Sequence, residues 1–125
     1  MGRKLTSLVC AVALAAAAGC GETDEEQARE VAQDYVEASN ARNFQAVCDL
    51  YSEQFIEELE ATDCPAFVKE NSSGADSEFS LVDVRVSDET ATADIDVVSE
   101  GGGPIRVGLR LERNPDDEWE IVGLQ

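Results

Sequence analysis

The order of apolar and polar residues changes its period once along the chain, near Ser77. Ahead of that point, apolar residues recur three and four positions apart, which is the spacing of an amphipathic helix. The longest such segment starts at a capping box, in which the side chains of Thr23 and Glu26 satisfy backbone amides reciprocally. We expect it to run for about 18 residues and to end near residues 40–42. Its apolar face consists of Ala28, Val31, Ala32, Tyr35, Val36 and Ser39.

Three shorter helices are predicted between this segment and residue 71. Their N-caps are Asn43, Ser52 and either Thr62 or Asp63, because these residue types accept hydrogen bonds from the first free amides of a helix. Pro65 suits the first turn of the last helix, where its missing amide N–H is no loss. The apolar contacts of these helices come from Phe44, Val47, Cys48, Tyr51, Phe55, Ile56, Leu59, Ala66, Phe67 and Val68.

After a polar break at residues 71–77, apolar and polar residues alternate with a period of two, which is typical of half-buried strands. The first strand should carry Val82, Val84 and Val86 on one face. Short connections favour an antiparallel meander. Helices followed by strands in one small domain predict the α+β class, with N-terminal helices packed on one face of a four-stranded antiparallel sheet. The strands are expected at residues 79–86, 90–98, 105–112 and 119–124.

The start of the chain has the organisation of an export signal. Arg3 and Lys4 precede an apolar run at residues 5–18, and small residues lead up to Cys20. The run fits a secretory signal, but it is shorter than the roughly 20 apolar residues that a membrane-spanning helix needs. We expect three parts: a signal peptide at residues 1–19, a short tether at residues 20–23 and one folded domain at residues 24–125.

The end of this signal, Ala17-Ala18-Gly19-Cys20, resembles the lipobox of bacterial lipoproteins. The resemblance implies a diacylglyceryl group on the thiol of Cys20, which then becomes the mature N-terminus. It departs from the family pattern at Ala17, where leucine is preferred. The protein would be extracytoplasmic and anchored to the cell membrane by lipid at Cys20, since two or more buried acyl chains form a stable anchor. The alternative is an ordinary secretory signal that is cut near Ala18 and leaves Cys20 free.

Two cysteines remain in the folded domain, Cys48 and Cys64. Disulfides persist in extracytoplasmic compartments, so we predict a bond between them, with two buried free thiols as the alternative. The bond would close a loop of about 17 residues and contribute roughly 3 kcal/mol in the chain-entropy model. Because it ties helices together and lines no proposed pocket, we expect its reduction to leave ligand affinity nearly unchanged.

The strongly negative charge of the chain limits the molecules that it can bind. The chain has 9 basic and 27 acidic residues and a net charge of −18, and loss of Arg3 and Lys4 with the signal lowers this to about −20. Such a field repels nucleic acid, whose binding depends on neutralised phosphates, so no nucleic-acid partner is predicted. The membrane would be reached through the N-terminal lipid, while the acidic domain stands off anionic headgroups. Basic partners, cationic ligands and divalent ions stay open.

The sequence contains no histidine. This removes histidine-based acid–base catalysis, serine triads and most catalytic zinc sites. With two thiols left in the domain, a structural zinc site is not expected either. We therefore predict no metal and no cofactor.

Three stretches of the helical half carry a family resemblance. They read Val31-Ala32-Gln33-Asp34-Tyr35-Val36-Glu37-Ala38, Asn40-Ala41-Arg42-Asn43-Phe44 and Val47-Cys48-Asp49-Leu50-Tyr51. They are similar to NTF2-like (cystatin-like) domains, in particular to small secreted or lipid-anchored ones of uncharacterised function. The resemblance implies a curved sheet wrapped around the long first helix, which leaves a conical pocket. The candidate pocket residues are Tyr35, Tyr51, Phe55, Phe67 and Trp119.

That superfamily includes isomerases, dehydratases and pure binding modules, so the fold does not decide the function. In its enzymes an Asp works with a Tyr or a His inside the cone, and the groups available here are Asp34, Tyr35, Asp49 and Tyr51. No position matches a catalytic motif of the family residue by residue, so no catalytic residue is predicted. We expect both tyrosines in the core and both aspartates at the solvated surface.

Two functions are consistent with these observations. The preferred one is a lipid-anchored binding or interaction module for a small apolar ligand or a protein partner. The alternative is an extracytoplasmic enzyme of the isomerase or dehydratase type that uses an Asp/Tyr pocket. A buried Asp beside Tyr35 or Tyr51 would favour the enzyme, and a wholly apolar or collapsed pocket would favour the module. The identity of the ligand and the oligomeric state are left open.

Overall fold

A computed structural model describes residues 23–60, 62–71 and 76–125. The change of period near Ser77 is confirmed, because helices precede it and strands follow it. The fold is therefore α+β, as predicted. The predicted signal peptide and the lipid site at Cys20 lie outside the described residues. The elements are α1 (Asp24–Asn40), α2 (Phe44–Asp49), α3 (Glu53–Glu58), α4 (Cys64–Asn71), β1 (Glu78–Ser87), β2 (Thr90–Val98), β3 (Pro104–Arg113) and β4 (Trp119–Leu124).

Each helix begins where a polar side chain can satisfy a free backbone amide. Thr23 and Glu26 form the predicted capping box at α1, with a hydrogen bond of 3.1 Å in each direction. Asn43, Ser52 and Asp63 each accept a hydrogen bond from the amide three residues further on, at the starts of α2, α3 and α4. The N-caps predicted from the sequence are therefore confirmed. Of the two candidates at the start of α4, Asp63 and not Thr62 is the cap.

The four strands form one antiparallel sheet in the order β1-β2-β3-β4. Its inner face carries the alternating apolar residues, and its outer face carries charged pairs such as Arg85 with Asp94, whose closest atoms are 2.8 Å apart. Ile95, Leu109 and Ile121 are among the fully buried residues of the inner face. The sheet thus has one buried and one wet face, as the alternation predicts.

The sequence predicts Val82, Val84 and Val86 on one face of β1. This is wrong for Val82, which does not share the inner face with Val84. The pairing with β2 shifts its register between Leu81 and Asp83, so Val82 is the extra residue of a bulge. Its side chain is 45% exposed, whereas that of Val84 is 4% exposed. An extra residue inverts the alternation on one side of the bulge, so Phe79 and Leu81 share the inner face with Val84.

Helix α1 packs on the inner face, mainly against β1, and α2 packs beside it. Ala28 and Ala32 of α1 are fully buried, and their small side chains let α1 approach the strands closely. Main-chain hydrogen bonds also join the helices to the sheet. The amide of Ser52 donates to the carbonyl of Ile121, and the amide of Ile121 donates to the carbonyl of Leu50, both at 2.9 Å. The segment between α2 and α3 therefore extends the edge of β4.

Candidate functional site

A cavity of about 170 Å³ lies between the C-terminal half of α1, the shorter helices and the inner face of the sheet. Its walls are mostly aromatic and branched aliphatic side chains. Two pairs of rings meet edge to face, with centroids 6.2 Å apart for Tyr35 of α1 and Phe79 of β1 and 4.8 Å apart for Tyr51 and Phe55. The lining residues are Tyr35, Ser39, Arg42, Phe44, Tyr51, Phe55, Leu59, Phe67, Val68, Asn71, Phe79, Val97, Val107 and Leu124.

Four of the five candidate pocket residues line this cavity: Tyr35, Tyr51, Phe55 and Phe67. Tyr35 comes from the apolar face of α1, and Tyr51 and Phe55 come from the segment around the start of α3. Phe67 reaches the cavity from α4. Three separate segments of the helical half therefore bring these four side chains to one place.

Trp119, the fifth candidate, does not line the cavity. It is buried at the start of β4, where it pairs with Arg113 across the last hairpin. The guanidinium carbon of Arg113 lies 5.0 Å from the centroid of its ring. Arg113 also forms an ion pair with Asp24 at the start of α1. Trp119 therefore closes the end of the core where α1 begins, whereas the cavity lies toward the end where α1 finishes.

The polar part of the cavity wall was missed from the sequence. Ser39 is 6% exposed and lines the cavity one turn after Tyr35 in α1. Arg42 follows three residues later, directly after the helix, and its guanidinium carbon lies 5.9 Å from the ring centroid of Phe44. The spacing of Tyr35 and Ser39 is the signal that could have identified Ser39, because positions i and i+4 share one face of a helix.

Burial keeps both tyrosines of the cavity protonated. It raises the pKa of Tyr35 above the ordinary value of 10.0, against a smaller lowering by the hydrogen bond from Ser39. Burial likewise raises the pKa of Tyr51, and the neighbouring Tyr35 phenol adds to that rise. At neutral pH the two hydroxyls are therefore hydrogen-bonding groups and not bases.

No Asp or Glu lines the cavity among the residues that the structure describes. Asp34 and Asp49, the acidic candidates, are both exposed, as the sequence analysis expects. They lie with Ala38 and Ala46 along a shallow surface depression between α1 and α2. Asp49 accepts a hydrogen bond of 3.0 Å from the side chain of Gln45. In the ranges 23–60, 62–71 and 76–125, no three Cys, Asp or Glu side chains are placed to hold a metal ion.

Cys48 and Cys64 form a disulfide, with their Cα atoms 6.2 Å apart. The bond fastens the start of α4 to α2, and α4 supplies Phe67, Val68 and Asn71 to the cavity wall. Neither cysteine lines the cavity, but α4 does, so we revise the expectation that reduction leaves ligand affinity nearly unchanged. A helix whose position depends on the bond forms one side of the cavity.

The described part of the chain contains no helix that is long and apolar enough to cross a membrane. No family model and no curated protein matches the sequence significantly. The comparisons that follow therefore concern structures alone.

Solved structures share the fold of this chain. An NTF2-like protein of unknown function from Shewanella baltica OS155 superposes with a TM-score of 0.59 at 15% sequence identity, over 83% of this chain and 94% of that chain. A ketosteroid isomerase-like protein from Erwinia carotovora atroseptica SCRI1043 superposes with a TM-score of 0.54 at 16% identity, over 82% and 95%. The chain therefore has the NTF2-like fold that the resemblance implied. At this level of identity the likeness concerns the fold and not the activity.

Proposed function

We propose that this protein is a lipid-anchored extracytoplasmic binding module, and that its ligand site is the cavity between α1 and the sheet. The observation that carries the proposal is the chemistry of the cavity wall. Apolar rings surround a few polar groups on one side, which is the usual composition of a small-molecule site. The walls come from α1, the shorter helices and all four strands, so the site is built by the fold itself.

The enzyme alternative lacks a base. Proton abstraction needs a group that is ionised near neutral pH and lies within hydrogen-bond reach of the substrate. Among the described residues of the cavity wall, none is a carboxylate, and burial raises the pKa of both tyrosines. The ketosteroid isomerase-like neighbour therefore supports a common architecture, while the chemistry of this wall supports binding.

The size of the cavity limits the ligand. An apolar protein cavity of roughly 150 Å³ holds a molecule the size of benzene, and the cavity here is about 170 Å³. The apolar part of the ligand is therefore about one ring or an equally short aliphatic chain. A steroid or a long acyl chain is too large for this volume without movement of the walls.

The position of the anchor favours a ligand from the aqueous phase. Residues 21–23 separate the proposed lipid site at Cys20 from Asp24, where α1 begins. Tyr35 and Ser39 lie 11 and 15 residues further along the helix, or about 16 and 22 Å at a rise of 1.5 Å per residue. The cavity would thus lie up to about 22 Å from the start of α1, and anionic headgroups also repel the acidic domain.

The export part of the proposal draws support from two features of the chain. The pattern that ends at Cys20 resembles a lipobox, and the Cys48–Cys64 disulfide suits an oxidising compartment. Neither feature depends on the cavity, so anchoring and binding are tested separately.

The binding part is tested by titration of the protein with toluene, followed by NMR. We expect chemical-shift changes at Tyr35, Phe79 and the other wall residues, and none on the outer face of the sheet. Val107→Phe should abolish them, because the larger side chain fills the cavity. Val82→Phe is the matched control, since Val82 is exposed and lies outside the wall. Binding that persists in Val107→Phe, or shifts spread over the outer face, would contradict a site in the cavity.

A further inference from the structure

The polar side of the cavity is built from one face of α1 and the turn that follows it. Tyr35 and Ser39 lie one turn apart on α1, and both line the cavity and are buried. Arg42 completes this side, and it is the only charged residue that lines the cavity within the described ranges. The one charge in the wall is therefore positive, although the chain as a whole carries −18.

Arg42 occupies a backbone position that normally selects glycine. Helix α1 ends in a Schellman motif, in which the amide of Asn43 donates to the carbonyl of Ala38 at 2.9 Å and the amide of Arg42 donates to the carbonyl of Ser39 at 3.2 Å. In this motif the residue after the C-cap adopts a left-handed backbone conformation. Arg42 occupies that position and has a φ of 60°. An arginine here is held in a conformation that glycine adopts more easily.

A left-handed conformation does not by itself indicate a ligand site. Glu60, which follows α3, is also left-handed, with a φ of 55°. Glu60 does not line the cavity, whereas Arg42 does. The left-handed turn at Arg42 ends α1 beside the cavity, and Arg42 lines the cavity there. The two residues therefore share a backbone geometry and differ in access to the site, which makes Glu60 a matched control.

We propose that the cavity selects a small monocarboxylate, whose ring or short branched chain fills the apolar part and whose carboxylate faces Arg42 and the hydroxyls of Tyr35 and Ser39. This inference rests on the proposed function and adds the class of ligand. A guanidinium presents parallel N–H donors that match the two oxygens of a carboxylate. A single cation suits a monoanion, while a phosphate dianion normally takes several donors or cations.

The test compares two probes of nearly the same shape, benzoate and benzamide, which differ in charge. Isothermal titration of the purified protein at physiological salt, which screens the acidic surface, should give a dissociation constant for benzoate about tenfold or more below that for benzamide. Equal affinities for the two probes would overturn the inference and leave the proposed function standing. Failure of both probes and of toluene would overturn the proposed function as well.

Variants assign the preference to Arg42. Arg42→Gln should reduce the benzoate preference to about threefold or less, by weakening the binding of benzoate more than that of benzamide. Arg29→Gln is the control, because Arg29 is exposed on α1 and pairs with Glu25. If Arg42→Gln fails to fold, Arg42→Gly suits the left-handed position, and Glu60→Gly controls for the added glycine. A tenfold preference that survives the loss of Arg42, or one that falls equally in Arg29→Gln, would overturn the inference.

Discussion

The side-chain amide of Asn40 is joined to the backbone of Phe79 by two hydrogen bonds, which fasten the end of α1 to the edge strand β1. The amide nitrogen of Asn40 donates to the carbonyl of Phe79 at 3.0 Å, and the amide of Phe79 donates to the side-chain oxygen of Asn40 at 2.8 Å. Both backbone groups belong to the edge of the sheet, where no further strand among residues 23–60, 62–71 and 76–125 satisfies them. The contact also holds Tyr35 and Phe79 together across the cavity.

Removal of this contact should destabilise the fold. Asn40→Ala loses two part-buried hydrogen bonds, and we expect the free energy of unfolding to fall by about 1–3 kcal/mol. Chemical denaturation measures the change. Gln33→Ala, on the exposed face of the same helix, should change it by less than about 0.5 kcal/mol. Equal effects of the two substitutions would show that the contact does not contribute to stability.

Reduction of the Cys48–Cys64 disulfide should affect both stability and binding. The bond closes a loop with a sequence separation of 16 residues, which corresponds to about 3 kcal/mol in the chain-entropy model. Because α4 contributes Phe67, Val68 and Asn71 to the wall, its release should also weaken binding of toluene or benzoate. Melting curves and titrations with and without reductant measure the two effects. The double variant of Cys48→Ser with Cys64→Ser should reproduce both, and ligand affinity that is indifferent to reduction would contradict this role of α4.

The two cavity tyrosines should titrate above pH 10. They are the only tyrosines in the sequence, so absorbance of the phenolate reports on them alone. Burial raises the pKa of both, so the unfolded chain releases these protons first as the pH rises. Stability from this source is complete below about pH 10 and should then fall by about 1.4 kcal/mol per pH unit for each phenol. Tyr51→Phe should remove one half of that slope. A native-state transition centred near pH 10 would contradict the burial of these groups.

The bulge in β1 predicts opposite outcomes for two neighbouring valines. Val84→Ala removes two buried carbon atoms and should cost about 1–3 kcal/mol, whereas Val82→Ala should cost less than about 0.5 kcal/mol. Denaturant titration of both variants provides the comparison. Similar losses at the two positions would indicate that the alternation runs through residue 82 without an extra residue.

Lipid attachment is expected at Cys20 and at no other position. Cys20→Ser should abolish incorporation of a labelled acyl chain and block normal processing of the precursor. The substitution leaves the cavity residues untouched, so binding of toluene by the variant should be unchanged. Acyl labelling that persists in the variant would contradict a lipid anchor at this residue.

Local rules predicted most of the fold. Thr23, Asn43 and Ser52 mark helix starts because a cap depends on residues within one turn, and the sequence contains that information directly. The alternation in β2 and β3 is equally local. The bulge at Val82 could not be read in the same way, because it depends on pairing with β2, which is a contact between separate strands.

The site was predicted in part, and its omissions have the same cause. Tyr35 and Phe67 were identified because aromatic residues on apolar faces are expected to meet inside a domain. Trp119 has the same character but lies at the other end of α1, and only the packing of the helix on the sheet decides between the two ends. Arg42 was overlooked because a charged residue after a helix is ordinarily at the surface. Its access to the cavity depends on the left-handed turn, which is visible in the structure.

A crystal structure of the protein grown in the presence of toluene tests the proposed site most directly. We predict electron density for one ring inside the cavity, in contact with Tyr35, Phe79 and Phe67, with α4 forming one side of the cavity. A cavity that is filled by its own side chains, with toluene absent or bound only at the surface, would contradict the claim that this protein is a binding module with its site between α1 and the sheet.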